Sequence, residues 1–302
     1  MRLSTARDDF IAYKRDHNCM PATLRAYHSY LKLFIDHVIH ETGKDASIHF
    51  TEAMVKSFFA HYDAQKRDVT RKTLACYMTA IREFAKWGLR KRYWAEDPVL
   101  DIEPIRYIKG KPRPFAPNDL ERLMALPLKH QEVALRALLY YAGLREAEAC
   151  GLRLCDLTPP IDATSEEPRY CVGYVHVLGK GEKERVIPIP PAAWEPVGAL
   201  WRERQAVEQG DRKSPLLSKR DGSHWTTQMV RKRVHKWGRA AAVEPCVPHR
   251  FRHTFATDLF DADEDLPVVQ KMLGHSSPAT TAIYLEVRDP KLVKATTRLR
   301  RF

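Results

Sequence analysis

Four side chains in the C-terminal part of this sequence have types and spacing suited to work on a phosphodiester. His249 and Arg252 form a His-x-x-Arg pair, His275 closes a Leu-Gly-His triplet, and Tyr284 follows nine residues later. Two turns or short helices separate them within residues 247–284, so the groups can fold back onto one point. An arginine grips non-bridging oxygens through its planar fork of donors. Imidazoles move protons or donate hydrogen bonds, and a phenol can act as a covalent nucleophile. Attack by an oxygen nucleophile on a phosphodiester builds negative charge, so catalysis is mainly positioning plus electrostatic stabilisation. A tyrosine with its ordinary pKa of about 10 is a weak nucleophile and needs a base and cations nearby. A covalent phosphotyrosine would store the bond energy of a cut strand, so neither ATP nor a metal is expected. The sequence carries no Gly-x-x-x-x-Gly-Lys-Ser/Thr motif, and no cluster of Asp and Glu is read as a metal site.

Two blocks upstream extend the pattern. One is Ala142-Gly143-Leu144-Arg145-Glu146-Ala147-Glu148, followed by Gly151-Leu152. The other is Leu178-Gly179-Lys180-Gly181-Glu182-Lys183-Glu184-Arg185-Val186-Ile187-Pro188. With the C-terminal stretch they resemble, in order, the motifs of the tyrosine recombinases, the phage integrase family, over about residues 113–290. The resemblance implies roles. Arg145 and Arg252 would contact non-bridging oxygens. Lys180 would protonate the leaving 5′-oxygen from a hairpin tip, with Lys183 as the alternative. His249 would serve as base to the tyrosine, His275 would donate to the phosphate, Glu148 would support the site, and Tyr284 would be the nucleophile. Taken singly, each has a plainer reading: an ion pair for either arginine, an exposed turn residue for Lys180, helix packing beside Ile283 and Leu285 for Tyr284. The plainer reading is kept for His253. Its spacing of four from His249 is that of zinc ligands, but no His-Glu-x-x-His is present. Two departures from the family pattern are a long 156–170 loop and Phe251 between Arg250 and Arg252.

The elements that must position these groups are mainly helical. Residues 4–15 read as a short polar segment anchored by Phe10, Ile11 and Tyr13. Three amphipathic helices follow. Leu24, Tyr27, Leu31, Phe34, Ile35 and Val38 stripe the first, which ends at Gly43. Met54, Val55, Phe58, Phe59 and Tyr62 stripe the second, capped by Thr51. Leu74, Tyr77, Met78, Ile81, Phe84 and Ala85 stripe the third. Five prolines between residues 98 and 117 interrupt any helix there, with Lys109, Lys111 and Arg113 among them. Asn118 with Glu121 predicts a capping box, and Val133 to Tyr141 an apolar helix. Residues 171–178 and 185–189 predict a β-hairpin, and 192–209 and 226–242 two more helices. Ser277-Pro278 and Asp289-Pro290 each launch a further helix, the second forming a tail. The fold class is therefore mainly α with a small β-sheet. With these elements the resemblance implies a helical core-binding domain of SAM-like type over 1–105, a basic linker over 106–117, and a mixed catalytic domain over 118–302.

The charge points to the partner, although a generic basic enzyme would fit the charge alone. Fifty Lys and Arg against 38 Asp and Glu leave +12, the footprint of a nucleic acid partner. Arg231, Lys232, Arg233, Lys236 and Arg239 concentrate it on one helix as candidate DNA contacts. Six scattered cysteines without a Cys-x-x-Cys pair, no leader and no membrane-length apolar run suggest reduced thiols in the cytoplasm, with no membrane partner. The resemblance implies a site-specific recombinase that clamps duplex recombination sites. It would act without cofactor, through a 3′-phosphotyrosyl link and a Holliday junction, as a homotetramer or a tetramer with a paralogue. A type IB topoisomerase shares this chemistry, and a non-catalytic DNA-binding regulator could share the fold.

Overall fold

Apolar stripes at three- and four-residue steps account for most of the helices in the computed structural model. It describes residues 1–64, 69–107, 113–161, 172–178, 184–209, 211–262 and 266–274. The chain divides into two compact units, Met1–Lys109 and Gly110–Phe302.

The first unit is a helical bundle of α1 (Leu3–Asp16), α2 (Pro21–Thr42), α3 (Glu52–Ala64) and α4 (Arg71–Arg90). Its first helix corrects the expectation of a short polar segment. Leu3, Ala6 and Phe10 recur at helical steps and are fully buried, so α1 is an amphipathic helix with a narrow apolar stripe. α2 starts with Pro21 at its first position and ends at Gly43. Thr51 Oγ1 accepts from the Met54 N–H at 3.3 Å and Thr70 Oγ1 from the Thr73 N–H at 3.2 Å, capping α3 and α4. The α4 stripe anticipated from the sequence is buried throughout. Phe10, Phe34, Phe50, Phe58 and Phe84 meet in tilted, edge-on and stacked contacts at the centre.

The second unit is built on α6 (His130–Tyr141), in which every residue from Ala134 to Tyr141 is buried. Arg136 is the polar member of that run, and its Nη1 donates to the Leu123 and Leu126 carbonyls; a helix so nearly apolar on all sides must be enclosed, and α8 (Pro191–Val207) and α10 (Pro248–Asp261) pack on it. Ahead of it, α5 (Pro117–Met124) begins with Pro117 at its first position and Ala116 as the extended residue before it. The predicted Asn118 cap is thus displaced: proline's fixed φ suits the first helical position, where its missing N–H costs nothing. Short α7 (Glu146–Gly151) follows α6. An antiparallel sheet of order β1-β2-β3 comes next, formed by β1 (Leu157–Thr158), β2 (Gly173–Leu178) and β3 (Glu184–Ile189). β1 corrects the reading of residue 156 onward as loop, since Leu157 pairs with Val175 and Thr158 with Tyr174. Val175, Val177, Ile187 and Ile189 point inward from β2 and β3. The basic helix is α9 (Thr227–Ala241), capped by Thr226. α10 and α11 (Leu266–Leu273) close the described fold around Phe255, Leu259, Val269 and Leu273. Among the described residues no helix is long and apolar enough to cross a membrane.

Candidate active site

Glycine at 143 lets the chain turn sharply between α6 and α7. Its φ is +57°, and a Cβ there would lie 2.3 Å from Cδ1 of Phe255. The close approach brings α10 against the turn. Arg252, on α10 and wholly buried, donates from Nη1 to the Gly143 carbonyl at 2.6 Å and from Nη2 to the Leu273 carbonyl. One guanidinium therefore ties the segment before Arg145 to the segment before His275.

Arg145 occupies the N-cap position of α7 in an extended conformation. Its backbone N–H donates to Glu148 Oε2 at 2.8 Å, and its Nη1 donates to Glu148 Oε1 at 2.8 Å. The carboxylate three residues into the helix thus reaches back to the cap, half of a capping box, and also orients the side chain. The Arg145 side chain remains 39% exposed, whereas that of Glu148 is 8% exposed. Burial works to raise the Glu148 pKa. The hydrogen bonds from Arg185 and Arg145 and the charge of Arg185 outweigh it, so the pKa ends below the usual carboxylate range.

Arg185 is the member of this cluster that motif reading passes over. Its Nη1 and Nη2 donate to Glu148 Oε1 and Oε2 at 3.0 and 2.8 Å, and its Nε to the Met272 carbonyl at 3.1 Å. A signal existed: Arg185 shares the inward alternation of Ile187 and Ile189, and an inward arginine requires an acceptor. Gly274, with φ +62°, sits where a Cβ would be 2.9 Å from Arg185 Cδ. The last-turn carbonyls of α11, which have no acceptor role inside their own helix, are thus satisfied by two cations from other elements.

His249 lies in the first turn of α10 and is exposed, its ring 4.3 Å from that of His253 between centroids. Burial, with the nearby His249 and Arg252, pushes the His253 pKa down to about 4, so His253 is neutral at neutral pH. Phe251, the departure from the family pattern, is fully buried and packs edge-on against Phe115 at 4.9 Å. Among the described residues no group of three or more His, Cys, Asp or Glu is placed to hold a metal ion. Lys180, Lys183, His275, Tyr284 and the tail helix lie outside the described residues.

On α9 the five candidate DNA contacts are not equivalent. Lys232, Lys236 and Arg239 are exposed. Arg231 is exposed and paired with Glu146 of α7, its Nε 2.8 Å from Oε2. Arg233 turns inward, with its guanidinium 4.0 Å over the Trp225 ring and Nε 3.2 Å from Glu132.

The phage integrase family model matches residues 114–291, and that of the phage integrase N-terminal SAM-like domain matches residues 8–92. Tyrosine recombinase XerC of Actinobacillus pleuropneumoniae serotype 7 (strain AP76) is 30% identical over 279 residues, covering 90% of this chain and 85% of the relative. Tyrosine recombinase XerD of Pseudomonas aeruginosa is 33% identical over 223 residues, 73% of each chain. The fold is similar to that of the XerH site-specific recombinase bound to palindromic difH substrate in a post-cleavage complex. The TM-score is 0.71 at 20% identity, over 91% of this chain and 79% of that one. The chain belongs to the phage integrase family, the tyrosine recombinases, enzymes that cleave and rejoin DNA strands. These relatives are tyrosine recombinases, and neither a topoisomerase-like nor a regulatory reading is favoured.

Proposed function

We propose that this chain recombines duplex DNA at paired sites through a covalent tyrosyl intermediate. Tyr284 attacks the scissile phosphate, its oxygen bonding to phosphorus as the 5′-oxygen leaves, to give a 3′-phosphotyrosyl link and a free 5′-hydroxyl. A 5′-hydroxyl from the partner site then attacks that link and releases the tyrosine. One round yields a Holliday junction and a second yields recombinants. His249 takes the tyrosine proton, Lys180, with Lys183 as the alternative, protonates the leaving oxygen, and His275 donates to a phosphate oxygen. Arg145 from an exposed position and Arg252 from a buried one stabilise the charge of the transition state. Glu148 supports Arg145. Neither metal nor cofactor takes part. Residues 1–105 and the exposed cations of α9 bind the duplex, a homotetramer or a tetramer with a paralogue holds two sites, and the setting is cytoplasmic.

The observation that carries this reading is Arg145: a cation held rigidly through its own backbone and side chain by Glu148, yet open enough to meet a phosphate. That a related recombinase has been captured on its difH substrate supports duplex DNA as the partner. The deciding experiment is to denature the protein after incubation with nicked DNA and sequence whatever remains attached. Tyr284→Phe should lose the attachment and keep DNA binding. A link that persists in this variant, or maps to another residue, refutes the assignment.

A further inference from the structure

The buried cluster around Glu148 holds more positive charge than its own pairing requires. Glu148 accepts hydrogen bonds from two guanidinium groups and one backbone N–H. Two cations against one carboxylate leave a net positive charge of one. The two arginines differ in where they stand: the Arg185 side chain is 8% exposed and that of Arg145 39%. The surplus therefore sits on the member that solvent, or a phosphate, can reach. Without Arg185, the Arg145–Glu148 pair would be neutral, and an incoming phosphate would meet a cation already compensated. In a buried setting that difference is large, because ionic interactions there are weakly screened.

We propose that Arg185 is a positioning residue for strand cleavage, neutralising Glu148 so that Arg145 presents a full positive charge to the scissile phosphate. The proposal rests on the reading of Arg145 as a phosphate contact. Arg185 also tethers β3 to the end of α11 through the Met272 carbonyl, so the test must separate charge from scaffolding.

The probe is a nicked duplex carrying the site recovered by covalent trapping, made with an ordinary or a methylphosphonate linkage at the scissile position. Single-turnover cleavage is measured for Arg185→Met, Arg185→Lys, Arg185→Met with Glu148→Gln, and Arg145→Ala. Arg185→Met should slow cleavage of the ordinary phosphate by roughly ten- to a hundredfold, less than the loss of a direct donor. Arg185→Lys, which keeps the charge, should recover most of the rate. The double variant also removes the buried carboxylate that Arg185→Met alone would leave short of two hydrogen bonds, so it should fold even if Arg185→Met alone does not. It should also cleave faster than Arg145→Ala by about tenfold or more. On the neutral methylphosphonate the deficit of Arg185→Met should shrink to a few-fold. A folded Arg185→Lys as slow as Arg185→Met, a double variant as slow as Arg145→Ala, or equal deficits on both linkages would overturn the proposal. Arg145→Ala cleaving the ordinary phosphate at the full rate would overturn the reading beneath it instead.

Discussion

Replacing Gly143 by alanine tests how tightly the turn before Arg145 is built. The residue has φ +57°, and the new Cβ would lie 2.3 and 2.7 Å from Cδ1 and Cε1 of Phe255, itself fully buried. A non-glycine residue in the left-handed region costs about 1–2 kcal/mol. Forcing a methyl into a packed ring costs about 1–3 kcal/mol more. If the turn shifts to relieve the overlap, the charged hydrogen bond from Arg252 to the Gly143 carbonyl is weakened, a further ~1.5 kcal/mol or more. The expected loss is roughly 3.5–6.5 kcal/mol, a large part of the ~5–15 kcal/mol that holds a domain together. Hydrogen exchange of peptides from α6 and α10 reads that loss where it occurs. Phe255→Leu in the same chain should relieve the overlap but not the backbone strain. The double variant should then be less destabilised than the sum of the single ones by about 1 kcal/mol or more. Protection within about 0.5 kcal/mol of the parent in Gly143→Ala, or strict additivity in the double variant, would refute the account.

Three further outcomes are expected. Lys180→Ala should lose cleavage on an ordinary duplex and regain it on a 5′-bridging phosphorothiolate, whose sulfur leaves without a proton; rescue of Lys183→Ala instead would move the acid role three residues along. The His253 pKa of about 4 lies below the ordinary value of 6.5, so the unfolded chain binds more protons between these pH values. Stability should therefore fall as pH drops through that window, by up to about 3 kcal/mol, and His253→Gln should flatten this acid limb in a urea titration. On α9, Lys232→Gln, Lys236→Gln and Arg239→Gln should each reduce the salt dependence of DNA binding by about one released ion per lost phosphate contact. Arg233→Gln should leave that slope unchanged and cost stability, because its guanidinium is committed to Trp225 and Glu132.

Periodicity was readable where a stripe was wide. The α4 stripe from Leu74 to Ala85 and the alternation of Val175, Val177, Ile187 and Ile189 could be assigned without a structure. α1 was not, because Leu3, Ala6 and Phe10 stand among charged residues and alanine adds little to an apolar pattern. β1 could not be, since two residues have no period and Leu157 becomes strand only by pairing with Val175. The α5 start is ambiguous in the sequence because two cap signals, Pro117 and Asn118, compete one residue apart and only backbone geometry decides between them.

Contacts within the site follow a different logic. Residue types and spacing single out Arg145, His249 and Arg252 because they repeat a family's order. They say nothing of how Arg252 is spent, since its acceptors at Gly143 and Leu273 are backbone carbonyls that any residue could supply. The same holds for the end of α11. A helix terminus usually advertises its cap in its own sequence, and Gly274 does mark the end of this one. Yet the Met272 and Leu273 carbonyls are capped by Arg185 from β3 and Arg252 from α10. Those arginines stand 87 and 21 residues away in the chain. Capping from a distance ties the end of α11 to β3 and α10. Local pattern can report which side chains are present at such a junction. Only the fold reports that two of them hold the junction together, and that Glu148 lies between one of these and the partly exposed Arg145.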